Sequence, residues 1–275
     1  MPASALIVGL GVLPVVWEIL LSRQKKEGFA PARDAGLANY RDLLNDSDLA
    51  AALWRTLEFI ALYVPLTVAV GLALALALNR PIRGIGLYRT CIFAPYIVSA
   101  SATGVVFKYL LDPQYGLIDN LLAWAGFARQ GFLENPDQAL FLLVPIAMWG
   151  AVGFDVLLFL AALQGVPNDL VDAAKIDGAG RFAVFRHVMV PALRPITLLV
   201  VIWEFVNALQ SFDLVYATTR GGPVESTSLI LYYAWNQAYG LGHQGYAAAI
   251  GSVLFFAITL LALLQLALNR RRAFA

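Results

Sequence analysis

From Asp172 to Pro195 the chain reads DAAKIDGAGRFAVFRHVMVPALRP, a polar stretch held between two membrane-length apolar runs. An element this short cannot build a hydrophobic core of its own. It is therefore a solvated connector or a surface that docks onto something else. The runs on either side say what kind of chain carries it. Of 275 residues, 60% are hydrophobic and 13% charged, and mean hydropathy is +0.72. Soluble domains carry about a quarter charged residues, so the chain reads as a polytopic membrane protein. A net charge of +1 leaves no concentrated basic face for nucleic acid. The single cysteine, Cys91, excludes a disulfide framework within the chain and a cysteine-cluster metal site. Inside an apolar run it reads as a small buried hydrophobe.

A spanning helix needs about 17–25 mostly apolar residues, and six segments qualify. They are Pro2–Leu21, Phe59–Asn79, Thr90–Phe107, about Ala139–Leu163, about Pro195–Tyr216 and about Tyr246–Asn269. The first has neither a basic n-region nor a small-residue cleavage site, so it reads as a span rather than a cleavable signal. Six spans put both termini on one side. The Arg80–Gly84 link, residues 165–194 and the tail Arg270–Arg272 share that side, with ten of the nineteen Lys and Arg residues on or beside them. That bias marks it as cytoplasmic, although Arg23, Lys25 and Lys26 pull the other way. On the longer opposite links, residues 116–127 (GLIDNLLAWAGF) form an amphipathic piece with Leu117, Leu121, Leu122 and Trp124 near one face. Trp54, Tyr109, Tyr115, Trp124, Tyr232 and Tyr233 read as interfacial aromatics.

Within the polar stretch, Asn168 is a candidate N-cap, and Leu170, Val171, Ala174 and Ile176 give a short helix an apolar face. Asp177-Gly178 marks its end, because glycine reaches left-handed φ without steric cost. A second amphipathic piece follows through Phe182, Phe185, Val188 and Met189, with Pro191 and Pro195 bracketing the start of the fifth span. Periodicity alone also allows two interfacial helices lying on the bilayer.

The residue order adds to this. Asp172-Ala173-Ala174, Asp177-Gly178-Ala179, Phe185, Val188 and Val190-Pro191 resemble the EAA loop of binding-protein-dependent ABC permeases. Asp172 stands where that family usually has Glu, which keeps the charge and loses one methylene. The resemblance extends through Gly36–Tyr40, Leu43-Leu44, Trp54–Phe59, Pro95-Tyr96, Asp112-Pro113 with Gly116, Phe212–Tyr216 and Gly221-Gly222-Pro223. Together these are similar to the maltose-type carbohydrate-uptake permeases, nearer the first of their two paired subunits.

That resemblance implies an all-α membrane protein of six transmembrane helices, residues 1–275 forming one permease domain. A cytoplasmic coupling loop, about 166–192, lies between the fourth and fifth spans. It implies a second homologous permease subunit, a dimeric cytoplasmic ATPase that holds ATP and Mg, and an extracytoplasmic binding protein that delivers the substrate. No cofactor is expected in this chain. Asp172, Ala173, Ala174, Asp177 and Gly178 would couple it to the ATPase. The implied location is the bacterial or archaeal plasma membrane, both termini cytoplasmic.

Charged side chains inside a bilayer face a cavity or a partner by default. Glu204, Asn207, Gln210, Ser211 and Asp213 make the fifth span unusually polar, and on one continuous helix Glu204, Ala208, Ser211 and Val215 share a stripe. Asn, Gln and Ser donate and accept hydrogen bonds as polyhydroxy ligands require. In the fourth span, Trp149-Gly150 and Phe154-Asp155 set aromatic faces beside small and polar groups. The family's substrate contacts carry over to Trp149, Gly150, Phe154, Glu204, Ala208 and Ser211. Asp155 and Asn207 complete the candidate substrate-binding set. Packing remains a competing role for Trp149, and bonding across to a partner subunit for Asp155 and Asn207.

These two spans contain no Arg or Lys in their interiors, which favours a neutral sugar or polyol over a phosphate ester. The same architecture with a glycerophosphodiester, glycerol phosphate, amino acid or peptide as cargo is the nearest alternative. An ion-coupled secondary transporter leaves the polar loop unexplained, and six spans without an inverted repeat fit it poorly. An intramembrane enzyme lacks its parts: only His187 and His243 are present, with no HExxH, GxSxG or GxxxxGK[ST].

Overall fold

The computed structural model describes residues 8–26, 28, 31–80 and 83–273. Residues 2–7 of the expected first span and Pro81-Ile82 of the Arg80–Gly84 link lie outside the described residues, as do the side chains of Asn168 and Arg270–Arg272. The chain is largely helical. Among the described residues, four helices are long and apolar enough to cross a membrane: α3 (Ser47–Leu78), α7 (Pro136–Gln164), α9 (Arg181–Leu209) and, over Gln244–Leu263, α12 (Gln244–Ala273). Between them come α4 (Ile85–Ile97), α5 (Ala100–Leu110), α6 (Leu117–Trp124), α8 (Asn168–Ile176), α10 (Asp213–Ala217) and α11 (Ile230–Trp235). Ahead of α3 lie α1 (Leu13–Ser22), the short antiparallel pair β1 (Gln24–Lys25) and β2 (Arg33–Asp34), and α2 (Ala38–Asn45).

The spans differ from the hydropathy windows where local chemistry overrides apolarity. The third, expected as one run over Thr90–Phe107, is two helices, α4 and α5, bent by 99°. Val98 and Ser99 are extended, and the Ser99 hydroxyl caps α5 by accepting from the Ala102 amide at 3.2 Å. The fifth, expected over Pro195–Tyr216, starts at Arg181 and stops at Leu209. Pro191 and Pro195 therefore lie inside a helix. A π-helical turn, Phe185–Met189, precedes Pro191, where the ladder must shift because proline has no amide hydrogen. The second amphipathic piece is thus the first two turns of α9 rather than a separate interfacial helix. Cys91, expected buried, is exposed on α4.

By packing, the chain divides into two units, residues 56–227 and residues 1–55 with 228–275. In the first, α7 packs against α4, α5 and α9. Its core gathers Ala75, Leu78, Val156, Phe159, Leu160, Leu163, Leu193 and Val200. Burying a large aliphatic or aromatic side chain of this kind in water-soluble proteins is worth about 1.5–3 kcal/mol. In a bilayer the interior must instead be matched by close packing and polar contacts.

In the other unit α1 packs along α12, and Leu49, Ala52, Ile230, Tyr233, Ala234 and Ile250 form a core. Its polar anchor is Asp46, just ahead of α3. Oδ1 accepts from the amides of Asp48 and Leu49 (2.8 and 3.0 Å), an N-cap arrangement that explains why α3 begins at Ser47 and not at Phe59. Oδ2 accepts from the hydroxyls of Tyr233 (2.7 Å) and Tyr246. Burial pushes the Asp46 pKa up, but the hydrogen bonds outweigh it and hold the carboxyl below the usual carboxylate value. Burial, then the Asp46 carboxylate, pushes the Tyr233 phenol above its ordinary value. Tyr233, expected at the interface, is thus a buried donor. Gln237 Nε2 extends the chain of bonds to the Tyr233 hydroxyl (2.8 Å), and His243 Nδ1 lies 2.9 Å from Gln237 Oε1.

Candidate functional site

Three helices of the unit 56–227 each bring one polar group to a common point: Tyr63 from α3, Asp155 from α7 and Glu204 from α9. They are 3%, 0% and 0% exposed. The Tyr63 hydroxyl donates to Glu204 Oε2, and Asp155 and Glu204 are close enough to interact electrostatically. Among the described residues, both Asp155 oxygens and Glu204 Oε1 find no hydrogen bond of good geometry. Buried acceptors are nearly always partnered, and two acids this close can partner one another by sharing a proton. Gly71 of α3 lies against Asp155, where an added Cβ would sit 2.8 Å from the Asp155 Cβ.

Tyr63 also faces a cavity of about 250 Å³. Thr103, Asn207, Gln210, Ser211 and Asp213 supply most of its polar wall; Tyr96, Gly150 and Ile146 are among the rest. None of the lining residues is Lys or Arg, and Asp213 is the charged one. The helix breaks make this space. Val98 and Ala100, at the α4–α5 bend, line it, and so do Gln210 and Ser211, where the chain leaves α9.

The expected substrate residues fall into three places. Gly150, Asn207 and Ser211 line the cavity. Asp155 and Glu204 are buried and meet Tyr63, a residue of the wall. Trp149, Phe154 and Ala208 are not among the lining residues. Trp149 is edge-on to Phe107 at 5.4 Å, Phe154 stacks on Tyr96 at 5.1 Å, and Ala208 is buried in packing. The single helical stripe through Glu204, Ala208, Ser211 and Val215 does not exist, because the helix ends at Leu209. Ser211 reaches the cavity from the turn, its hydroxyl donating to the Asn207 carbonyl at 3.1 Å. The sequence reading missed Tyr63, Tyr96 and Thr103 as site residues, and noted Gln210 and Asp213 for the polarity of the fifth span without placing them in the candidate set. Tyr63 carried one readable signal, a hydroxyl aromatic one helical turn from Thr67 in an otherwise apolar run.

At α8, the Ala179 amide donates to the Ala174 carbonyl (2.9 Å) and the Gly178 amide to Lys175 (3.0 Å). This is a Schellman ending, with Gly178 at φ +83°. Pro167, not Asn168, is the N-cap residue. Asp172, Ala173, Asp177 and Gly178 are exposed and Ala174 half-buried. Leu170, Ile176 and the following Phe182 are also exposed, so α8 presents apolar side chains outward. Asp172 pairs with Lys175 at 2.8 Å, both exposed, a contact worth about 0–1 kcal/mol.

Long apolar helices, one of them broken, around a polar cavity are the build of a membrane solute-transport subunit. Residues 67–274 match the binding-protein-dependent transport system inner membrane component family, and the chain belongs to it. It is 30% identical to the trehalose/maltose transport system permease protein MalF of Thermococcus litoralis over 273 residues, 99% of this chain and 92% of that one. To the sn-glycerol-3-phosphate transport system permease protein UgpA of Yersinia pestis it is 33% identical, over 86% of this chain and 80% of that one. Among solved structures, a chain of a bacterial ABC transporter that imports the acidic polysaccharide alginate superposes with a TM-score of 0.86. That match covers 98% of this chain and 93% of the other at 19% identity, and is a likeness of fold.

Proposed function

We propose that this chain forms one half of the translocation pathway of an ATP-driven, binding-protein-dependent importer for a sugar or related polyol. One observation carries the reading. The cavity is lined by tyrosine rings and by hydroxyl and amide groups, without a cation among its lining residues. Neutral polyhydroxy ligands want donors, acceptors and flat apolar faces. A phosphate ester wants Arg, Lys or a helix N-terminus. The name of the trehalose/maltose relative agrees with this chemistry over nearly the whole chain. Glycerol phosphate, suggested by the other relative, fits the lining less well, as do glycerophosphodiesters, amino acids and peptides.

In this reading the chain has six spans, the first including the helical residues 8–22 and the third bent at Val98-Ser99. Both termini and α8 lie in the cytoplasm. A second, homologous permease supplies the other half of the path. The α8 helix is the coupling helix, with Asp172, Ala173, Ala174, Asp177 and Gly178 docking on a dimeric ATPase. ATP and Mg are bound there, and this chain holds no cofactor. An extracytoplasmic binding protein delivers the sugar. Trp149, Gly150, Phe154, Asp155, Glu204, Asn207, Ala208 and Ser211 are the residues to probe for substrate contact, with Tyr63 added.

The test is co-purification from native membranes, reconstitution, and ATPase assay with the binding protein and a panel of neutral sugars, glycerol 3-phosphate and amino acids. Stimulation by a neutral sugar through a co-purifying ATPase is the expected result. Stimulation by glycerol 3-phosphate alone overturns the cargo, and transport without an ATPase overturns the mechanism.

A further inference from the structure

The helix α6 turns its apolar side outward. Leu117, Leu121 and Trp124, spaced i, i+4 and i+7 on one stripe, are all exposed, Trp124 at 89%. The opposite side is pinned. Asp119, 1% exposed, accepts from the Gln130 amide at 2.8 Å and lies 3.7 Å from the Arg129 guanidinium. We propose that the Leu117–Leu121–Trp124 stripe is a lipid-binding face that seats α6 flat in the headgroup region of the leaflet where α5 ends.

Position and composition both select lipid over a protein partner. The α6 helix packs on α5 and lies in the link between two spans, α5 ending at Leu110 and α7 starting at Pro136. On α5, Val105 and Tyr109 are exposed one turn apart, and Val105 stands two positions from Thr103. Two positions are about 200° around a helix, so Val105 faces away from the cavity that Thr103 lines. This outward strip continues through Tyr109 and the exposed Tyr115 to Leu117. The apolar belt of the span therefore runs onto the surface helix. From Gln114 to Ala128 the sole charged residue is the buried Asp119. Asn120, exposed beside the stripe, already uses its amide within the chain, donating to the Gly116 carbonyl (2.9 Å) and accepting from Arg129 (3.4 Å). The face thus offers a protein partner few polar contacts. Trp and Tyr rings with Leu are what the membrane interface favours.

The test places an environment-sensitive fluorophore on single cysteines in the Cys91→Ser chain, purified with its partners and reconstituted in phosphatidylethanolamine/phosphatidylglycerol vesicles. The Cys91→Ser parent is the labelling blank. Trp124→Cys and, as a second position, Leu117→Cys report the face, and Asp137→Cys, at an exposed position, reports water. Quenching at 124 and 117 by headgroup-level nitroxide lipid, with iodide quenching at least about threefold weaker than at 137, is the expected result. Iodide quenching equal to that at 137 overturns the proposal. So does protection from both quenchers, which means that protein covers the face. The outcome is independent of the cargo.

Discussion

The phenol of Tyr63 donates to the carboxylate of Glu204, joining two spans 141 positions apart in the chain. One ring thereby does two things: its hydroxyl satisfies a buried acid while it forms part of the cavity wall. Tyr63→Phe keeps the shape and removes the donor, leaving another buried carboxylate oxygen unpartnered. The expected cost is about 1–3 kcal/mol of stability, read as a lower unfolding midpoint of the purified complex. Glu204→Gln retains an acceptor for Tyr63 and is expected to lose less than Glu204→Leu. Equal midpoints for Tyr63→Phe and the parent would remove the bond from the account.

The cavity itself is tested by adding volume and by removing polar atoms. A Cβ added at Gly150 meets nothing within 4 Å, so Gly150→Ala should fold and transport normally. Gly150→Leu should fold and block uptake by filling the space. Asn207→Ala and Ser211→Ala should each raise the KM for uptake by roughly 2- to 10-fold, the worth of one hydrogen bond. An unchanged KM in both would move the substrate path elsewhere.

The acids of the site were legible because an ionisable group in an apolar run stands out, as Asp155 and Glu204 do. Their partner was not: Tyr63 sits in a charge-free run, and only the crossing of α3 with α9 gives its hydroxyl a purpose. The turn that ends α8 was legible at Gly178, since Asp-Gly after an apolar stripe is local chemistry. The end of α9 was hidden, because Gln210-Ser211-Phe212 contains neither Gly nor Pro, and a hydropathy window runs straight through it. Pro191 and Pro195 misled in the opposite sense, since a π turn lets the helix run through both. The bend at Ser99 was readable in principle: a hydroxyl residue four positions after Pro95 is an N-cap signal. Apolarity outweighed it.

Gly71 tests how tightly α3 and α7 meet beside the acids. An added methyl would lie 2.8 Å from the Asp155 Cβ, closer than carbon atoms pack. Gly71→Ala should cost about 1–3 kcal/mol by overpacking, and Asp155→Gly, which removes that Cβ, should relieve part of it. Thermal unfolding of the two single variants and the double variant measures the coupling. Simple additivity would show that the helices separate freely there.

Acid should loosen the unit anchored by Asp46. Its folded-state carboxyl lies below the ordinary value, so its contribution is fully present above the unfolded-chain pKa of about 3.9. It is lost as pH falls through the lower folded value. Asp46→Asn keeps a capping oxygen but loses the charged acceptor of the Tyr233 and Tyr246 hydroxyls, and should be less stable near neutrality by about 1–3 kcal/mol. Between pH 6 and pH 3 it should lose less than the parent does. Unfolding midpoints across that range, compared pairwise, isolate Asp46 from the other carboxylates. Parallel curves would contradict this role.

At Gly178 the local and functional arguments meet. Its φ of +83° is a conformation that costs a residue with a Cβ about 1–2 kcal/mol, and the two amide bonds that close α8 depend on it. Gly178→Asp adds strain and a charge on the exposed face proposed to meet the ATPase, without touching the cavity. The complex should still assemble and hydrolyse ATP, while sugar moved per ATP falls well below the parental ratio. Gly178→Asn, uncharged and tolerant of left-handed φ, should keep more of that ratio. If Gly178→Asp transports with the parental ratio, the turn is merely where a surface helix ends, and the proposed coupling contact must be sought elsewhere on the chain.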